Sequence, residues 1–219
     1  MPRPELIVVV AGTATEVGKT FVAAALIAEL RQAGKRVAAR KPVQSFSAGD
    51  ATTDAAVLAA ATDDEPAAVC PPARAYEVAM APPMAAEVLH RPPFTIADLV
   101  AELAWPDAVD VGVLETAGGV RSPIAADGDC VSLARAIEPE LVVLVADAGL
   151  GTINSVRLSV AALADLPVVV VLNRFDVTDD LHRRNCQWLE AGDGYEVVTE
   201  MDELAVRVRS LSRGRLRST

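Results

Sequence analysis

The 219-residue chain is poor in aromatics, in cysteine and in positive charge, and it contains no long apolar run. Aromatic residues make up only 4%, so the core cannot be built on large rings, and much of the 52% hydrophobic content comes from Ala and Val. Cys70, Cys130 and Cys186 are an odd number without paired spacing, which points to free thiols and away from a disulfide framework or a zinc site. Twenty Lys and Arg against thirty Asp and Glu leave a formal charge of −10. That is the wrong sign for a phosphate backbone, so a small-molecule substrate and no nucleic acid are expected. No apolar stretch reaches the length of a membrane span. The opening Met1-Pro2-Arg3-Pro4-Glu5 shows no secretory cleavage site. A cytoplasmic location with no membrane partner is the expectation.

What is present is concentrated in one segment. Gly12-Thr13-Ala14-Thr15-Glu16-Val17-Gly18-Lys19-Thr20 lies between an apolar run at 6–11 and a helix-like stretch, the strand, loop and helix order of a phosphate-binding loop. In such a loop the backbone N–H groups face phosphate oxygens, Lys19 reaches the same oxygens and the Thr20 hydroxyl takes a place on Mg²⁺. The generic pattern wants its first glycine at position 13, where this chain has Thr13 with Gly12 before it. The bland alternative is a chance Gly-Lys-Thr at an ordinary helix start. Ala14 stands where ATPases of the partitioning and arsenite-pump type carry a second loop lysine.

Further strand-length apolar runs recur at 37–39, 109–114, 141–146 and 168–172, separated by helix-compatible stretches rich in Ala and Leu. This alternation predicts one α/β domain over 1–219 with a mostly parallel sheet covered by helices on both faces. A helix over 18–33 should follow the loop and stop at Gly34. A loop-rich excursion is expected at about 46–95, where three Pro-Pro pairs punctuate short helical pieces, and a frayed basic tail from about 212. Active-site residues of such a sheet gather at the strand C-terminal ends.

Lys41, Glu115, Asp147 and Asn173 all fall at those ends. Lys41 beside a phosphate loop can neutralise a transferring phosphoryl group, and it can equally be a surface lysine. Glu115 ends an apolar strand and opens Thr116-Ala117-Gly118-Gly119; a buried carboxylate there is better explained by a metal than by packing. Asp54 reads first as a helix-start residue and second as a metal ligand. Asp147 is either a ligand or a cap before Gly149. His90 and His182 read as surface residues without a partner at ligand spacing, and Trp105 and Trp188 as packing or subunit-contact residues.

Taken in order, the phosphate loop, Lys41-Pro42-Val43 with Ser45, Asp54, Tyr76 followed by Met80-Ala81-Pro82, Glu115-Thr116-Ala117-Gly118-Gly119 and Gly149-Leu150-Gly151-Thr152-Ile153-Asn154 resemble the dethiobiotin synthetase family over about 8–173. Thr13 is part of that family's loop. The resemblance implies a three-layer P-loop NTPase fold and an ATP- and Mg²⁺-dependent closure of the ureido ring of dethiobiotin from 7,8-diaminopelargonate and CO₂. It implies that Thr20, Asp54 and Glu115 hold the metal. Glu16, Val17, Gly18, Lys19, Thr20, Glu115 and Asn173 would contact the nucleotide, and Lys41, Lys19, Thr15 and Glu16 would serve catalysis. Ser45 and Lys41 would bind substrate together with Gly151, Thr152, Ile153 and Asn154, the last four from the partner subunit of a homodimer. Phe46 and Thr116 stand where the family commonly has small residues, and Val197-Val198-Thr199-Glu200-Met201 lacks its usual adenine-side proline. The alternatives are an amidation enzyme of the cobyrinate diamide synthase type, a GTP-binding switch that reads guanine through Asn173-Arg174-Phe175-Asp176, and a non-catalytic nucleotide-binding subunit.

Lys19→Ala is expected to abolish phosphate release from ATP while leaving the circular dichroism spectrum unchanged. Near-normal turnover would remove the phosphate-loop assignment.

Overall fold

The structure, a computed structural model, describes the backbone of residues 3–215 and the side chains of residues 3–211. The chain runs β1 (Leu6–Gly12), α1 (Lys19–Gln32), β2 (Val37–Arg40), β3 (Gln44–Ser45), α2 (Asp54–Thr62), α3 (Pro66–Val69), β4 (Ala75–Tyr76), α4 (Pro82–Val88), α5 (Ile96–Ala101) and β5 (Val111–Glu115). It continues through β6 (Pro123–Ala125), β7 (Gly128–Asp129), α6 (Cys130–Ile137), β8 (Leu141–Asp147), α7 (Thr152–Ala162), β9 (Val168–Asn173), α8 (Asp180–Gln187), β10 (Val197–Val198) and α9 (Met201–Arg215). Six of the strands form one all-parallel sheet in the order β10-β9-β8-β1-β5-β2.

The near-continuous apolar strands require cover on both faces, and the period of two along each strand distributes their side chains. Ile7, Val9 and Ala11 face one core with Leu114, Leu144, Leu172 and Val156 of α7. Leu6, Val8 and Val10 face the other with Leu26 and Ile27 of α1, Leu58 of α2 and Leu204 of α9. Strand β1 lies between β5 and β8, so the loop leaving its C-terminal end opens at the centre of the sheet edge. On β5 a Cβ at Gly112 would stand 2.8 Å from the Trp105 ring. Trp105 is accordingly a packing residue that needs glycine beneath it.

Several sequence boundaries are corrected. Helix α1 is Lys19–Gln32, with Gly18 as its N-cap, and β5 begins at Val111, two residues later than expected. The short helical pieces expected within 46–95 are present as α2, α3 and α4, joined by β4 and tied down by β3–β4 pairing and by Tyr76 stacked on Phe94 at 6.0 Å. The Pro-Pro pair at 82–83 starts α4, where a missing N–H costs nothing. Arg207 and Arg209 belong to α9: Arg207 pairs with Glu196 at 2.7 Å, and Arg209 donates to the Ala205 carbonyl at 3.3 Å. The side chains of the tail from about 212 lie outside the described residues. Among the described residues no helix is long and apolar enough to cross a membrane.

Leu144→Ala, which empties a fully buried position on a central strand, is expected to lower unfolding free energy by about 2–5 kcal/mol in urea titration. Val206→Ala, at 57% exposure, should stay within about 0.5 kcal/mol of the unaltered protein.

Candidate active site

The loop between β1 and α1 holds two left-handed residues, Glu16 at φ 61 and Gly18 at φ 94. Left-handed residues set among ordinary ones turn successive N–H groups toward a common centre, the geometry that suits an anion. At Gly18 nothing larger fits, because an added Cβ would lie 2.0 Å from Asn173 Nδ2. That amide donates to the Val17 carbonyl at 2.9 Å, so the end of β9 props the loop from behind.

Beside the loop, four elements deliver one polar cluster. Lys41 follows β2, Glu115 ends β5, Asp54 opens α2 after the Thr53 cap, and Thr20 lies in the first turn of α1. Lys41 Nζ donates to Glu115 Oε1 at 2.5 Å, to Asp54 Oδ2 at 2.6 Å and to the Thr116 carbonyl at 3.2 Å, which uses all three of its protons. Thr20 Oγ1 lies 2.8 Å from Asp54 Oδ1 and 3.0 Å from Glu115 Oε1. Lys19 Nζ donates to the Ala14 carbonyl at 3.1 Å.

Burial pushes the Lys41 ammonium down, but the charges of Glu115 and Asp54 outweigh it, and the group titrates above its ordinary value of 10.5. Its contribution to stability is therefore complete below pH 10.5 and is lost only as pH rises through the folded-state value. Burial lowers Lys19, and repulsion from Lys41 adds to that effect. Glu115 is raised because burial outweighs the pull of Lys41. Burial also raises Asp54, but Lys41 and the Thr20 hydroxyl more than reverse it, and the net shift is downward.

The cluster forms the floor of a cleft of about 730 Å³ whose walls include Thr15, Glu16, Ser45 and Pro82. One atom in the floor is anomalous. Glu115 Oε2 is buried and has no hydrogen-bond partner, a costly arrangement for a carboxylate unless a cation uses it. Among the described residues no three His, Cys, Asp or Glu side chains cluster for a protein-only metal site. A hydroxyl and two carboxylates fit instead a hard cation that shares its remaining ligands with phosphate oxygens.

The family model described as an AAA domain matches residues 7–207. The ATP-dependent dethiobiotin synthetase BioD of Haloferax mediterranei is 38% identical over 193 residues, 87% of this chain and 81% of its own length. The protein of the same name from Rhodococcus jostii is 37% identical over 97% of this chain and 93% of its own. This chain belongs to the dethiobiotin synthetase family. Solved structures extend the fold beyond the family. A plasmid partition protein from Borrelia burgdorferi superposes at TM-score 0.55 with 12% identity, covering 99% of this chain and 100% of that one. The signal recognition particle receptor FtsY from Elizabethkingia anophelis, in complex with GDP, superposes at TM-score 0.50 with 16% identity, and this chain spans 60% of its length. At these identities the likeness is one of fold alone.

The structure brings Lys19, Thr20, Lys41, Asp54 and Glu115 together and sets Thr15, Glu16, Gly18 and Ser45 in the same cleft. Val17 is buried behind the loop. Gly151, Thr152, Ile153 and Asn154 do not line the cleft; Gly151 caps α7, where the Thr152 hydroxyl is buried without a partner. Asp54 is both a helix-start residue and part of the cluster, so neither sequence reading excluded the other. Lys41 is 1% exposed, which removes the surface reading. Asp147 caps the loop before α7 by accepting from Gly149 N at 2.9 Å, and the helix cap itself is Gly151. Asp176 does not start a helix at Thr178. It accepts from both the amide and the hydroxyl of Thr178, and α8 begins at Asp180 under the Asp179 cap. His182 Nδ1 accepts from Asp176 N at 3.1 Å. Phe46 does not line the cleft.

Two contributors were not assigned from sequence. Gln44 accepts from Ala55 N at 3.1 Å and so fixes the start of α2 beside Asp54. Arg174 reaches the cleft from the end of β9 and donates to the Glu16 carbonyl. Gln44 precedes Ser45 and Arg174 follows Asn173, so adjacency to those residues is their signal in the sequence.

Lys41→Met should destabilise the protein by roughly 3–5 kcal/mol in chemical denaturation, because it strands Glu115 as a buried charge. Lys41→Met/Glu115→Leu should recover most of that loss and remain inactive. A double variant no more stable than the single one would contradict the pairing.

Proposed function

We propose that this protein is an ATP-dependent dethiobiotin synthetase, closing the ureido ring of dethiobiotin from 7,8-diaminopelargonate and CO₂ with release of ADP and phosphate. One observation carries the reading: a phosphate loop and a second, buried lysine share a cleft with two carboxylates, in a chain of this family. A carbamate formed on one amine has to approach a polyphosphate, anion against anion. Most of the barrier that the protein can address is therefore electrostatic.

Lys19 and the amides of the loop would take the phosphate charge. Lys41 supplies a fixed positive charge beneath the reacting groups. Its protons are already used, so it acts through its field or by releasing Asp54, the more exposed of its partners at 44%. Carbamate oxygen attacks the terminal phosphorus and ADP leaves; the second amine then attacks the carbonyl carbon, and phosphate leaves with its C–O bond broken. Ser45 Oγ donates to the Met80 carbonyl at 2.6 Å, which leaves its lone pairs for an amine N–H of the substrate. Glu16 and Thr15 stand at the same opening. Thr20, Asp54 and Glu115 would hold Mg²⁺, which supplies charge neutralisation among the phosphate oxygens.

A homodimer belongs to the same proposal. Leu150 at 92% and Leu158 at 66% exposure present apolar surface around α7, and a second copy there would bring the N-terminal amides of α7, with Thr152, to the far carboxylate of the diamine. A cytoplasmic location completes the reading.

With ATP, Mg²⁺ and bicarbonate, adding 7,8-diaminopelargonate should raise phosphate release well above the rate without acceptor and yield dethiobiotin by mass spectrometry. ATP binding without acceptor-dependent release would point to a non-catalytic subunit.

A further inference from the structure

Two consecutive residues at the end of β9 grip two consecutive carbonyls of the phosphate loop. Asn173 Nδ2 donates to the Val17 carbonyl at 2.9 Å, and Arg174 Nη2 donates to the Glu16 carbonyl at 3.0 Å. Arg174 also donates through Nη1 to Asp147 Oδ2 at 2.9 Å, while Asp147 Oδ1 accepts from Gly149 N at 2.9 Å. Asn185 of α8 holds the Ala148 and Gly149 carbonyls from the other side, at 2.9 and 3.0 Å. A continuous path of hydrogen bonds thus runs from Glu16 through Arg174 and Asp147 to the loop that opens α7.

The backbone along this path is held in unusual conformations. Glu16 and Arg174 are both non-glycine residues in the left-handed region, at φ 61 and φ 57. Such residues persist where surrounding contacts over-determine them, and they gather at functional sites. Side-chain exposures of 60% for Arg174 and 48% for Asp147 mean that their ion pair adds little to global stability. Its effect is on geometry. It fixes the Glu16 peptide, and with it the direction of the following amides.

We propose that Arg174 is a positioning residue that locks the phosphate loop to the loop preceding α7, so that nucleotide occupancy and the placement of the α7 N-terminus are coupled. The proposal rests on the nucleotide reading of the cleft. Coupling of this kind is reciprocal: whatever orders one end favours order at the other. It would keep the phosphates on one side and the helix start on the other in register during turnover.

The test uses the full chain and ADP as probe. Arg174→Met keeps the length of the side chain and removes its donors. It should weaken ADP binding about tenfold by calorimetry, the scale of one hydrogen bond to a charged group, with an unchanged melting temperature. Asp147→Asn preserves the cap on Gly149 and removes the charge that holds Arg174, so it should weaken ADP less. The double variant should bind no more weakly than Arg174→Met alone. At saturating ADP, hydrogen exchange at residues 148–152 should slow in the unaltered protein and not in Arg174→Met, while residues 14–20 stay protected in both. Unchanged ADP affinity in Arg174→Met, unchanged affinity in Asp147→Asn, additive losses in the double variant, or protection of 148–152 that survives in Arg174→Met would each overturn the coupling alone. Failure of the unaltered protein to bind ADP would overturn the nucleotide reading and the coupling with it.

Discussion

The buried ammonium of Lys41 between Glu115 and Asp54 is the constraint around which the rest of the molecule is arranged. Desolvating a lysine and a carboxylate is expensive, and the pair is tolerable only because the contacts are short and every proton on Nζ has an acceptor. Glu115 and the Thr116 carbonyl come from the end of β5 and Asp54 from the start of α2, while Thr20 of α1 bonds both carboxylates, so the geometry demands that β2, β5, α1 and α2 all be in place. The parallel sheet supplies this. Strands β2 and β5 are neighbours, so the residues leaving their C-terminal ends meet on one edge.

The same cluster explains why the loop lysine and the buried lysine differ. Lys19 has a single carbonyl as partner and is pushed toward neutrality by burial and by Lys41, whereas Lys41 is held charged by two carboxylates. A lysine short of partners is the one ready to receive a phosphate oxygen. The lysine with a full set of partners serves as fixed charge. Glu115 Oε2, buried in the floor of the cleft without a hydrogen-bond partner, is where the proposed cation would add positive charge.

The fold was readable in the sequence wherever the signal was a long apolar run or a glycine with a mechanical reason, as in β1, β8, β9 and the loop ending at Gly18. Lys41, Glu115 and Asn173 were findable because parallel sheets concentrate chemistry at strand ends. What stayed hidden depended on side chains meeting across the fold. Asp54 looked like a helix-start residue because its contacts with Thr20 and Lys41 come from distant segments. The hydrogen bonds that Asp176 Oδ1 accepts from the amide and hydroxyl of Thr178 likewise leave no pattern in the sequence. Gln44 and Arg174 were missed for the same reason, since each acts on a backbone group that has no identity in the sequence.

The separations along the chain carry one more consequence. Thr20 meets Glu115 across 95 residues, Lys41 meets Glu115 across 74, and Asn173 supports Val17 across 156. A phosphate loop near the amino end is therefore synthesised long before the strand that braces it. At a ribosome adding about 5–20 residues per second, many seconds pass in which the loop exists as sequence and not yet as a binding surface. The brace that Asn173 gives the Val17 carbonyl is available only once β9 has been made.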